Sequence, residues 1–64
     1  MSWKPEFKVD GEWYDNAQRF ATEQEAKDSA YARYCVWTMP SGYRAVESSD
    51  PVNYVRTEGQ DRGL

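Results

Sequence analysis

TEQEAKDSAYARYCVW, residues 22–37, is the stretch whose reading decides the fold. It reads as an amphipathic α-helix that carries its own start signal. Thr22 followed by Glu25 fits a capping box, in which the threonine oxygen accepts the amide of Glu25 and the Glu25 carboxylate returns to the Thr22 amide. Glu23, Glu25 and Asp28 favour the positive end of the helix dipole. At about 100° per residue, Ala26, Ala30, Tyr34 and Trp37 fall on one stripe, while Glu25, Asp28, Ser29 and Ala32 fall roughly opposite. The stripe predicts a face for a sheet, with alanines that allow close approach and aromatics that fill a wider gap.

On the N-terminal side, Trp3, Pro5, Phe7 and Val9 alternate with Lys4, Glu6, Lys8 and Asp10, the pattern of a half-buried strand. Pro5 has no amide proton to give a ladder, which predicts a strand at the sheet edge, or at least Pro5 on its unpaired side. Asp10-Gly11 is a hairpin signal, because a type I′ turn needs positive φ at both central residues. A two-residue loop places Val9 opposite Glu12, Lys8 opposite Trp13 and Phe7 opposite Tyr14. Opposed residues share a face, so Tyr14 is expected in the core with Phe7, and Trp13 on the outer surface beside Lys8. On the C-terminal side, Pro40 and Gly42 end the helix. Residues 43–47 read as a third strand, Ser48-Ser49-Asp50-Pro51 as a turn, and residues 52–56 as a fourth strand. Residues 58–64 offer almost nothing to bury and read as a disordered tail. The expected fold class is α+β, in the order β-β-α-β-β, with a small antiparallel β-sheet, a single α-helix packed on one face, and one domain over residues 1–57.

A chain of 64 residues can bury only about 60% of its unfolded surface. Its sole leucine is Leu64 and it has no isoleucine, so the bulk comes from three Trp, five Tyr and two Phe, and the core must be aromatic. A lone Cys35 makes no internal disulfide and reads as an inert, buried thiol within the helix, the usage of a reducing compartment. No apolar run approaches the ~20 residues that span a bilayer, and the opening MSWKPE lacks a signal peptide's apolar segment. The expectation is a cytoplasmic protein with no membrane contact.

The chemistry of the residues excludes more than it suggests. Without histidine and with one cysteine there is no usual zinc ligand set, and the carboxylates do not follow calcium-loop spacing. Cys35 has no histidine to activate it, and no glycine-rich phosphate loop is present. The reading is a protein that is not an enzyme, with no catalytic residue, metal or cofactor. A net charge of −3 argues against nucleic acid. Lys4, Lys8, Trp13 and Arg44 would make a base-stacking platform, yet Asp10, Glu12, Asp15, Glu23, Glu25 and Asp28 crowd the same region against only Arg19 and Lys27. Those carboxylates are either a solvated face or a surface that meets a basic partner. Protein binding has three routes in this sequence: a wet sheet face, an edge strand and an acidic helix surface. The candidate partner-binding residues are Trp13, Lys8, Tyr43 and Tyr54, with Asp15, Glu25 and Asp28. The competing readings are a packing role for each of these aromatics, a single-stranded nucleic-acid binder, and a homodimer through an edge strand.

Three segments carry a resemblance. RFATEQEA (residues 19–26), YRAVESSDPVNY (residues 43–54) and the hairpin VDGEWY (residues 9–14) together resemble short proteins encoded by bacteriophages and prophages. The resemblance carries no catalytic motif and transfers no site residue. It implies an acidic protein that binds and redirects a larger host protein, such as transcription or defence machinery, in the host cytoplasm. Asp50-Pro51-Val52-Asn53-Tyr54 is then either a functional loop or a turn that starts a strand.

Overall fold

A computed structural model describes residues 1–36 and 40–64. The expectations for Trp37, and for Thr38 and Met39 at the helix end, lie outside the described residues. The elements run β1 (Ser2–Val9), β2 (Glu12–Asp15), α1 (Glu23–Val36), β3 (Gly42–Ser48), β4 (Tyr54–Thr57) and β5 (Gln60–Gly63). The fold is α+β with antiparallel strands and one helix among the described residues. Its strands form two sheets rather than one: three strands in the order β2-β1-β3, and a separate hairpin β4-β5.

The first hairpin has the register the Asp10-Gly11 turn dictates. Asp10 and Gly11 both adopt positive φ, at 51° and 83°, and Phe7 faces Tyr14, Lys8 faces Trp13 and Val9 faces Glu12. Strand β1 is central, not at the edge, because β3 pairs along its other side from Ser2↔Ser48 to Lys8↔Gly42. Pro5 is accommodated by the alternation of the ladder. Trp3 exchanges both backbone hydrogen bonds with Phe20, at 2.8 Å each, and Phe7 pairs with Tyr14 on that same side. Pro5 lies between them on the side where β2 has already ended, so its missing amide proton is not needed. The alternate residues, including Lys8, direct their backbone groups at β3.

Phe20 is fully buried (0% exposed), with its ring 6.1 Å from that of Tyr54. Helix α1 begins immediately after it. The Glu25 amide donates to Thr22 Oγ1 at 3.1 Å, as the capping box requires. The reciprocal half is different: the Glu25 carboxylate accepts the Thr22 hydroxyl at 3.1 Å and the backbone amide of Arg56 at 3.0 Å. Ala26 and Ala30 are fully buried and let the helix approach β1 and β3 closely. Tyr34 and Tyr31 close the wider end against Tyr43, with ring centroids 5.0 and 5.6 Å away. Ser29 is buried as well, not opposite the buried stripe, because β4-β5 covers a second strip of the helix. Cys35 is exposed, which corrects the buried reading.

The segment read as a disordered tail is the turn and second strand of this β4-β5 hairpin. Glu58 and Gly59 adopt positive φ, at 53° and 75°, and Tyr54 to Thr57 pair with Gly63 to Gln60. Polar groups hold the hairpin to the body, which is why hydrophobic alternation does not mark it. Asp61 accepts Arg56 Nη1 at 2.6 Å, Ser29 Oγ at 2.7 Å and Gln18 Nε2 at 3.4 Å. The amides of Asn53 and Tyr54 both donate to the Arg19 carbonyl at 3.0 Å. Burial opposes the charge on Asp61, but the hydrogen bonds from Arg56 and Ser29 outweigh it and hold its pKa below the ordinary aspartate value.

Two predictions test this packing. Ala30→Asp places an unpaired carboxylate at the helix–sheet interface at a cost of several kcal/mol, comparable with a small domain's whole stability of about 5 kcal/mol. Its circular-dichroism melt should lose cooperativity, and a wild-type melt would mean that another helix face is buried. For Asp61 the folded pKa is depressed, so its stabilisation is fully present above the unfolded aspartate pKa of about 3.9 and is lost as pH falls through the lower folded value. Thermal melts from neutral pH downward should show Asp61→Asn less stable near neutrality, with the gap to wild type closing at the acid end. A gap that stays constant with pH would separate Asp61 from the acid response.

Candidate functional site

Helix α1 packs on one side of the three-stranded sheet, against β1 and β3, and the β4-β5 hairpin packs against the helix and Phe20. The opposite face carries the alternate residues: Lys4, Glu6 and Lys8 of β1, Trp13 and Asp15 of β2, and Arg44 and Val46 of β3. Trp13, Lys8 and Gly42 stand in one row across the strands, and Asp15, Glu6 and Arg44 in the next. The tip of the Trp13 indole reaches across the row to Gly42, where a Cβ would meet it at 3.8 Å, an ordinary contact distance. The Arg44 guanidinium lies over the indole, 3.9 Å from the ring centroid. Trp13 remains 37% exposed.

Around this pair the face is laced by charge. Arg44 Nη2 meets Glu6 Oε1 at 2.7 Å, and Lys4 Nζ meets Asp15 Oδ2 at 2.9 Å and Glu6 Oε2 at 3.7 Å. Arg19 bridges Asp15 at 3.5 Å and Asp50 at 3.0 Å. The hydrogen bond from Lys4 holds the Asp15 carboxyl below its usual pKa, and the same bond raises that of Lys4. Glu6 is buried beneath its two cationic partners, whereas Lys8 makes no ion pair among the described residues.

The structure brings Trp13, Lys8 and Asp15 onto this face and disperses the other predicted residues. Tyr43 points to the inner side, between Tyr31 and Tyr34. Tyr54 packs on Phe20 and against Gly63. Glu25 is a capping and clasp residue whose carboxylate is engaged by Thr22 and Arg56. Asp28 is exposed on the helix, accepting from Gln24 at 2.7 Å. Tyr14 shares the inner side with Phe7 but is not in the core. It is 52% exposed, with its hydroxyl donating to Glu12 at 2.9 Å, because neither the helix nor the second hairpin reaches over β2. Arg44 and Glu6 are the members of the site that the partner-binding reading left out. The signal for Arg44 lies in register: it stands across the sheet from Glu6, one row from Trp13, a relation visible only when β1 and β3 are aligned.

The loop from Ser49 to Asn53 is committed internally. Ser2 Oγ donates to the Asp50 carbonyl at 2.8 Å, the Arg19 amide donates to Asn53 Oδ1 at 2.8 Å, and Asn53 Nδ2 donates to the Ala17 carbonyl at 2.9 Å. Among the described residues no group of three or more acidic or cysteine side chains is placed to hold a metal ion. No described helix is long and apolar enough to cross a membrane.

Trp13→Ala removes an exposed ring and a cation–π contact worth about 0.5–1 kcal/mol. Chemical denaturation should therefore show a loss of this size. A loss of about 3–5 kcal/mol, the cost of truncating a core aromatic, would place Trp13 inside the protein. No protein family, curated protein or solved structure matches the chain.

Proposed function

We propose that this chain is a non-enzymatic protein-interaction module, a phage-encoded modulator that binds a larger host protein in the host cytoplasm through the open face of its three-stranded sheet. The observation that carries this reading is the Trp13–Arg44 pair: an indole held in place by a guanidinium 3.9 Å above it, on the face that neither the helix nor the second hairpin covers. Tryptophan and arginine are the residue types most enriched at binding hot spots, and a rigid aromatic loses little entropy on docking. Lys8, which makes no ion pair among the described residues, adds a positive charge beside the indole, and Asp15 sits at the adjacent corner. The phage origin and the host partner rest on the resemblance of residues 9–14, 19–26 and 43–54.

The charge arrangement favours a protein over a nucleic acid as the partner. A base-stacking face needs cations free to meet phosphates. Here Lys4 and Arg44 are engaged by Asp15 and Glu6, which leaves Lys8 as the one cation of the face without an ion pair among the described residues.

The test is a nuclease-treated pull-down from host lysate with the tagged protein, quantified against Trp13→Ala and Arg44→Ala. One saturable host protein, retained by wild type and lost at least tenfold in both variants, is the expected result. Equal recovery by wild type and Trp13→Ala would remove this face from the interaction. Binding to single-stranded DNA that falls steeply with salt would replace the reading with nucleic-acid recognition.

A further inference from the structure

No residue from Tyr54 to Leu64 is buried, yet the hairpin they form packs on Phe20 and Ser29, which are 0% and 2% exposed. Its two strands pair with no other described strand. Polar contacts join it to the body. The amides of Tyr54 and Arg56 donate to the Arg19 carbonyl and the Glu25 carboxylate, each at 3.0 Å. Asp61 accepts Ser29 Oγ at 2.7 Å and Gln18 Nε2 at 3.4 Å, and the Tyr54 ring lies on Phe20. The side chains and the carbonyl on this boundary each have a second partner on their own side of it. Within the hairpin, Asp61 holds Arg56 Nη1 at 2.6 Å. Within the body, Glu25 holds the Thr22 hydroxyl, Ser29 Oγ lies 3.4 Å from Gln18 Oε1, and that oxygen accepts Asn16 Nδ2 at 3.2 Å. The Arg19 carbonyl also takes the amide of Asn53, whose side chain is tied to the Arg19 amide and the Ala17 carbonyl.

From this division we infer that the β4-β5 hairpin is a strap that swings off the helix about Asn53 as one unit, uncovering Phe20 and Ser29 while the three-stranded sheet and α1 stay folded. The expensive part of breaking a buried hydrogen bond is the group left without a partner. Here the body keeps its own network, and the freed amides of Tyr54 and Arg56 pass into water. The Arg56–Asp61 pair leaves with the strap as a neutral unit. The apolar loss is the Tyr54 ring coming off Phe20, because the hairpin contributes no buried residue of its own. Once undocked, a two-stranded hairpin is at best marginally stable, so its ladder bonds between Val55 and Arg62 open with the contacts to the body. Opening the bridge between Trp3 and Phe20 is a different event, since it separates the buried Phe20 from β1 and with it the start of the helix. None of the contacts released by the strap involves Trp13, Lys8 or Arg44, so it stands independently of whether that face binds a host protein.

Native-state hydrogen exchange on the intact chain, followed amide by amide by NMR at low denaturant concentrations, tests the strap. The amides of Tyr54, Val55, Arg56 and Arg62 should exchange through one shared opening, with protection lower than at Trp3 and Phe20 by roughly tenfold or more and a weaker dependence on denaturant. Ser29→Ala, which removes a hydrogen bond across the boundary, should speed exchange at those four amides by about fivefold. Ala30→Gly should speed exchange at Trp3 and Phe20 by about fivefold, through the penalty of glycine within a helix. It should leave the four hairpin amides unchanged, because the strap opens while the helix is intact. Equal protection and equal denaturant dependence at all six amides would overturn the proposal, since the hairpin would then open only with the whole molecule. So would hairpin exchange that follows Ala30→Gly, or that ignores Ser29→Ala.

Discussion

The paired hydrogen bonds between Trp3 and Phe20, each 2.8 Å, are the constraint on which the other elements depend. They carry the chain from the end of β2 back along the side of β1, next to the proline that cannot pair there. They turn the Phe20 ring into the core, where it is fully buried. They also fix the point from which the helix starts, since Thr22 caps it two residues later. One residue earlier, the Arg19 carbonyl is left facing the start of β4, and it accepts the amides of Asn53 and Tyr54. A single two-residue bridge thus positions a strand edge, a core aromatic, a helix cap and the anchor of the second hairpin. A chain of 64 residues has little apolar area with which to define these relations separately.

The same scarcity explains why polar groups hold the second hairpin. Its strands contain few apolar side chains, and a two-stranded hairpin alone is at best marginally stable in water. Asp61 gathers Arg56, Ser29 and Gln18, and Glu25 takes the Arg56 amide, so helix, loop and hairpin meet through buried or half-buried hydrogen bonds. The capping carboxylate Glu25 serves two elements at once. It satisfies the helix start through Thr22 and the edge of β4 through Arg56, and this double use diverts it from the Thr22 amide that a capping box would supply.

The parts of this fold legible in the sequence are those with local causes. The Asp10-Gly11 turn set the first register to the residue, Thr22 set the helix start to within one residue, and Ala26 and Ala30 marked the close face. What was not legible depends on pairings between distant segments. Pro5 suggests an edge until Phe20 is known to bond at Trp3 and leave a gap beside the proline. Ser29 looks solvent-facing until Asp61 arrives from more than thirty residues away. Residues 58–64 look like a tail because their contribution is hydrogen bonding, which leaves no apolar period to read, and Glu-Gly is a weaker hairpin signal than Asp-Gly. In the candidate site, the exposure of Trp13 followed from register alone, whereas the stacking of Arg44 on it required β3 to be aligned with β1. Tyr43 and Tyr54 were chosen for their chemistry, and tertiary packing turned both inward.

A sheet with its helix on one side leaves its other face to water, and such a face ordinarily carries charged and polar side chains alone. Most of this one does: Lys4, Glu6, Asp15 and Arg44 neutralise one another in the plane of the sheet, and Glu6 is buried beneath its partners. That neutralisation leaves Lys8 as the cation of the face without an ion pair among the described residues. Trp13 and Val46 are the exceptions within it, and Trp13 lies against Arg44 and beside Gly42. Folding alone does not require an indole there, since a lysine or threonine on a wet strand face would pair as well and expose less apolar area. Its cost in exposed apolar surface is the ground on which binding is proposed for Trp13, and Arg44, itself paired with Glu6, stacks on the ring.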